Sequence, residues 1–214
     1  MALTRISLTG PAVSGTLPIA NGGTAVTTAA ALANTSNYVF LSSQTVSTAV
    51  SYVNFDNIFT STYDNYFMIF EEVGHNNAGT GVMRAELGTG STPTYDTGSN
   101  YKYSYIYHQA QSDATDTING AGVGGSLTYM QFGLTNRSST SNGHIYFTGM
   151  NSTTSWAKGV NSVYFHHGQN ANDFEHAYMS CVYNNTSNAA TSVRFYFNAG
   201  SVSSGKYKMY GIKA

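Results

Sequence analysis

Charge is what this 214-residue chain has least of. Charged residues make up 9% of it, against about a quarter in ordinary soluble proteins, and its nine Lys and Arg stand singly along the sequence. Neutralising a phosphate backbone takes a clustered basic footprint, so no nucleic-acid partner is expected. Cysteine is confined to Cys181, which excludes an internal disulfide framework. That residue alternates with Met179 and Tyr183 and reads as a buried small hydrophobe with no activating base nearby. The longest run of large apolar residues is Tyr66 to Phe70, far short of the roughly 20 residues of a membrane-spanning helix, so no membrane partner is expected either. The apolar stretch after Arg5 breaks at Gly10-Pro11, before it reaches the about 7–15 residues of a signal core. Met1 therefore reads as a native start, with synthesis in the cytoplasm.

Neutral hydrogen-bonding residues replace the missing charge. There are 25 Ser, 26 Thr and 20 Asn, together a third of the chain, beside 22 Gly. Disordered chains combine low hydrophobicity with high net charge, whereas the net charge here is −1 and aromatics reach 14%. The composition is that of a folded protein with a polar, almost uncharged surface.

The chain divides in two. Residues 1–36 contain no aromatic and are interrupted by Pro11 and Pro18, which marks an extended N-terminal arm. Thr24 to Ala33 has the makings of a short helix capped by Thr24 and Asn34, marginal on its own. Such an arm gains order by packing on a partner, through Leu17, Ile19, Val26 and Leu32. From residue 37 to 214 the period is two: Met83, Ala85 and Leu87 alternate with Val82, Arg84 and Glu86, and Tyr101, Tyr103, Tyr105 and Tyr107 share one face. Tyr66 to Phe70 is apolar on both faces, as in a strand covered on two sides. Further segments run over Leu127 to Leu134, His144 to Met150, Val163 to His167, His176 to Tyr183, Val193 to Phe197 and Tyr207 to Ile212. Turns are expected at Asn119-Gly120, Gly124-Gly125 and Asn142-Gly143. Eight or nine short strands without a helix predict an all-β head, an antiparallel β-sandwich of jelly-roll type.

The chemistry-bearing residues point to binding rather than catalysis. Glu71 and Glu72 are adjacent, so strand alternation sends them to opposite faces, where they cannot flank one bond. Asp173, Glu175 and His176 lie near His166 and His167, residue types that hold metals, but two consecutive histidines of a strand diverge. No metal, cofactor or catalytic residue is assigned. No nucleophile elbow, phosphate loop or zinc-protease motif is present. Neutral sugars are recognised by flat aromatics with hydroxyl, amide and imidazole groups. Trp156, Tyr103, Tyr105, His166 and His167 are the candidate glycan contacts, with Asn161 beside them. The tyrosine row equally suits a sandwich wall or a subunit interface.

Gly15-Thr-Leu-Pro-Ile-Ala-Asn-Gly-Gly-Thr-Ala25, followed by Val-Thr-Thr-Ala-Ala-Ala-Leu-Ala-Asn34, resembles the GTLPxANGGTG segment and Thr/Ala-rich tail of bacteriophage tail-fibre proteins, including those of cyanobacterial phages. Phe195 through Lys213, ending in Tyr-Gly-Ile-Lys, is similar to the closing hairpin of those proteins, and Thr62 to Phe70 to the strand that opens their globular head. Ala25 stands where the pattern usually has Gly. The resemblance implies a homotrimeric virion appendage, anchored through its arm to other virion proteins of the tail or the capsid, whose head attaches to host-surface glycans. The little chain ahead of the motif implies a seat directly on the particle. Two alternatives remain open: a capsid decoration protein without a ligand, and a glycan-degrading enzyme.

Overall fold

The computed structural model describes residues 37–110, 117–135, 140–154, 158–167, 174–185 and 187–213. The arm, with Leu17, Ile19, Val26 and Leu32, lies outside them, as do Trp156 and Asp173. The described residues are all-β, without a helix, and form two antiparallel sheets packed as a sandwich.

Thirteen strands run in order: β1 (Tyr38–Val46), β2 (Val53–Phe55), β3 (Asn65–His75), β4 (Gly81–Thr89), β5 (Thr94–Tyr95), β6 (Tyr101–Ala110), β7 (Thr117–Leu127), β8 (Met130–Thr135), β9 (Ser141–Thr148), β10 (Lys158–His167), β11 (Phe174–Tyr183), β12 (Ser192–Phe197) and β13 (Val202–Ile212). The large sheet has the order β1-β13-β3-β9-β10-β11-β6-β7. The small one runs β2-β12-β4, with β5 and β8 both on the outer edge of β4. Leaving aside β5–β7 and β10–β11, the strands interleave as β1-β13-β3-β9 in one sheet and β2-β12-β4-β8 in the other.

Period two decides what each strand buries. Tyr66, Met68 and Phe70 of β3, Ile145 and Phe147 of β9, and Tyr207 and Met209 of β13 turn inward and are fully buried. From the small sheet Phe55, Leu87, Phe132, Val193 and Phe195 meet them. Tyr207 stands between the layers, with ring centres 5.8 Å from Phe195 and 6.5 Å from Phe55. Each such side chain contributes about 1.5–3 kcal/mol by leaving water. Cys181 is buried as the sequence indicates, and burial pushes its thiol up to about 12, so it is held as a neutral thiol.

Several local expectations need correction. Among the described residues the strands number thirteen, not eight or nine. Leu127 to Leu134 is not one strand, since Leu127 ends β7 and Met130 opens β8. The three glycine pairs read as turns all lie inside strands. Asn119-Gly120 and Gly124-Gly125 belong to β7, and Asn142-Gly143 to β9, paired with β10 on one side and β3 on the other. At Gly143 the glycine answers crowding and not a turn: a Cβ there would run into the Val163 carbonyl oxygen and stand 2.7 Å from the Phe70 ring. Glu71 and Glu72 do not diverge. A bulge between Phe70 and Val73, with Glu72 at φ +54°, spends an extra residue. Both carboxylates consequently reach the outward face, Glu71 to Lys208 at 3.1 Å and Glu72 to Lys206 at 4.0 Å.

At one end of the sandwich a polar network replaces apolar packing. Asp96 accepts hydrogen bonds from the Tyr183 hydroxyl at 2.6 Å, Gly98 N at 2.7 Å, Asn100 Nδ2 at 2.9 Å and Asn185 Nδ2 at 3.2 Å. The neighbouring Lys158 is fully buried, donates to the Asn185 carbonyl at 2.6 Å and lies 5.5 Å from the Tyr183 ring centre. Burial alone lowers its ammonium pKa.

Candidate functional site

The outward face of the large sheet carries the groups that point to a partner. Of the strongly exposed large apolar side chains among the described residues, Tyr38, Phe40, Ile106, Phe165 and Tyr178 all lie on this face, while Val50 and Tyr52 lie elsewhere. Strand register arranges the face in rows. One row runs Phe40, Tyr210, Phe67, Tyr146, Asn161, Ser180, Ser104. The next runs Lys208, Ile69, His144, Val163, Tyr178, Ile106. A third, across the second half of the sheet, runs Asn142, Phe165, His176, His108.

The two halves differ in chemistry. Near β1 the rings gather around Phe67, whose centre is 5.5 Å from Tyr38, 4.7 Å from Tyr146, 5.5 Å from His144 and 6.4 Å from Tyr210. Phe40 lies 5.8 Å from Tyr210, edge on. The Tyr38 and Tyr146 hydroxyls are 3.4 Å apart, and that hydrogen bond raises the Tyr146 pKa. Burial among the rings lowers the pKa of His144.

Across β10, β11 and β6 the face is mixed. Ser180 Oγ donates to Asn161 Oδ1 at 2.7 Å, and Ser180 stands opposite Ser104. These two small residues leave a hollow of about 240 Å³, lined by Lys102, Ser104, Ser180 and Val182 with Tyr103 and Cys181 at its base. In the adjoining rows Tyr178 packs edge on against His176 at 4.7 Å, and His176 stacks with His108 at 6.4 Å. The two hydroxyls and the Asn161 amide thus sit at a shallow concavity, with the exposed Tyr178 ring in the next row and the imidazoles of His176 and His108 one row beyond it. Hydroxyl and amide groups beside an exposed ring are chemistry suited to polyhydroxylated neutral ligands, rings against C–H faces and polar groups on hydroxyls.

The sequence candidates fall differently. Tyr103 and Tyr105 turn inward, half-buried against the core, and stack with Tyr107 at 5.9 and 6.0 Å steps. They form sandwich wall, the other role open to that row. Asn161 is on the outward face and exposed. His166 and His167 end β10, where their backbones pair with Glu175 and Phe174; their side chains, like Trp156, are outside the described set. Among the described residues no three His, Cys, Asp or Glu gather as metal ligands. Sequence reasoning named neither Tyr178 nor Ser104, and weighed His176 only as a metal ligand. Their signal was the outward alternation of β6 and β11, opposite to the tyrosine row that draws the eye. Comparison with protein-family models, curated proteins and solved structures returns no match for this chain.

Proposed function

We propose that this protein is a non-catalytic virion appendage of tail-fibre type, a homotrimer held by its N-terminal arm to other virion proteins, whose sandwich head attaches to host-surface glycans. The observation that carries the glycan reading is the hollow at Ser104 and Ser180, lined also by Lys102 and Val182, with Asn161 hydrogen-bonded to Ser180 and the exposed Tyr178 in the next row. The arm motif, resembling that of phage tail fibres, carries the virion reading. The interleaved order β1-β13-β3-β9 and β2-β12-β4-β8 supports a jelly roll, the order two Greek keys generate. Lectin and viral-coat domains use that architecture, a likeness of fold alone.

Purified full-length protein, fluorescently labelled, tests the reading on host cells and on immobilised host polysaccharide. Binding is expected, with Tyr178→Ala and Asn161→Ala each weakening it at least tenfold while circular dichroism stays unchanged. Absence of cell binding together with binding to empty capsids establishes the rival, a decoration protein. Release of reducing ends from the polysaccharide overturns the non-catalytic assignment.

A further inference from the structure

The aromatic half of the outward face has a different occupant from the glycan half. The sequence of β3 is apolar on both faces, the pattern of a strand covered on two sides. Within one protomer only its inward side is covered by the described residues: Tyr66, Met68 and Phe70 are buried, whereas Phe67 and Ile69 are partly exposed. Around Phe67 stand Tyr146, Tyr210, Tyr38 and Phe40, the last two 44% and 57% exposed. Clustered exposed rings of this kind mark a surface that is covered in the working assembly.

Two observations say what covers it. The first is where the rest of the chain attaches. Residues 1–36 join the head at Asn37, one residue before Tyr38, and the Lys213 N–H donates to the Asn37 carbonyl at 2.9 Å, tying that junction to the end of β13. The chain therefore enters the head at the margin of the aromatic stripe, so copies gathered through their arms bring these stripes together first. The second is charge. The rings of the stripe carry none, and the lysines beside them, Lys208 and Lys206, are already matched by Glu71 and Glu72 of the same face. A copy of the same surface meets no like-charge penalty, and a charged polymer gains nothing there.

We propose that Phe40, Phe67, Tyr146 and Tyr210, with Tyr38 at the margin, form the contact between heads of neighbouring copies of this chain. This rests on the reading of the protein as a homo-oligomeric appendage. Three stripes converging on one threefold axis meet one another without leaving a repeating sticky surface, and the Ser104–Ser180 hollow, farther along the sheet, stays open to ligand.

Native mass spectrometry and hydroxyl-radical footprinting of the full chain at micromolar concentration test the assignment. The unmodified protein is expected at about three times 22.9 kDa. Tyr38 and Phe40 are expected to be at least fivefold less oxidised than Tyr52, whose 45% exposure in the protomer is close to the 44% of Tyr38. Phe40→Lys and Tyr210→Lys are expected to shift the mass toward the single chain at equal concentration, and Ile106→Lys on the other half to leave it unchanged. An oligomer in which Tyr38 and Phe40 oxidise as freely as Tyr52 overturns the contact and leaves the arm-mediated assembly standing. A monomeric wild-type chain overturns both.

Discussion

The Tyr183 hydroxyl meets the Asp96 carboxylate at 2.6 Å across 87 residues of sequence. This bond ties β11 of the large sheet to the loop behind β5 of the small one, and the Tyr101 ring stacks on Tyr183 at 4.8 Å while its hydroxyl accepts from Leu87 N. Burial raises the Asp96 pKa, but the hydrogen bonds from Tyr183, Gly98, Asn100 and Asn185 outweigh it and hold the carboxyl below its ordinary value.

A pH dependence follows from that lowered value. A carboxyl whose folded pKa is depressed stabilises the fold at pH above its unfolded value, about 3.9, and the contribution is lost as pH falls through the folded pKa. Asp96→Asn removes the charged acceptor and is expected to cost about 1–2 kcal/mol at neutral pH. The gap between wild type and variant should narrow below about pH 4 in urea denaturation. A gap independent of pH would show that the charge of Asp96 contributes nothing.

Tyr207 gives the opposite sign. Its ring is packed between the sheets, but its hydroxyl is buried without a hydrogen-bond partner among the described residues, and burial raises its pKa strongly. Tyr207→Phe keeps the ring and removes the unpaired polar atom, so a gain of about 1 kcal/mol is expected. Thermal and urea midpoints should both rise; a fall would mean that the hydroxyl has a partner.

The fold was legible in the sequence where alternation is strong, as in β4, β12 and β13, and where a run is apolar on both faces, as in β3. It was obscured where glycine serves crowding. Asn142-Gly143 has the composition of a hairpin turn, but the glycine is required because Val163 O and the Phe70 ring occupy the space of a side chain. Similarly, alternation alone separates Glu71 from Glu72, and a bulge, invisible to a period-two reading, reunites them. The candidate site was half legible. Aromatic, hydroxyl and amide chemistry was evident from composition, but the tyrosine row of β6, which draws the eye, packs against the core at Tyr103 and Tyr105, and the outward row of Lys102, Ser104, Ile106 and His108 carries the weaker chemical cue.

Gly143 supplies its own test. Gly143→Ala in the middle of the large sheet must displace Phe70 or the β10 backbone, and overpacking of this kind costs about 1–3 kcal/mol. The same change at Gly125, where a Cβ would meet nothing within 4 Å, is expected to be near neutral. Equal midpoints for the two variants in urea denaturation would refute the crowding argument.

His144 links the aromatic stripe to pH. It sits on the outward face of β9 beside Phe67 and Tyr146, with Ile69 and Val163 opposite it on the flanking strands and Lys208 beyond Ile69 in the same row. Burial lowers its pKa, so the folded state favours neutral imidazole. The sign is that of a group that must stay unprotonated. Its contribution is fully present above the ordinary histidine value, about 6.5, and is lost as pH falls through the lower folded value. A second head closing on the stripe removes more water from His144 and strengthens that preference. Oligomer measured by native mass spectrometry is therefore expected to dissociate more readily at about pH 5 than at about pH 7.5. His144→Gln, which cannot take up a proton, should flatten the difference, whereas His108→Gln and His176→Gln, outside the stripe, should leave it. A pH response that survives His144→Gln would place the titrating group elsewhere on the face.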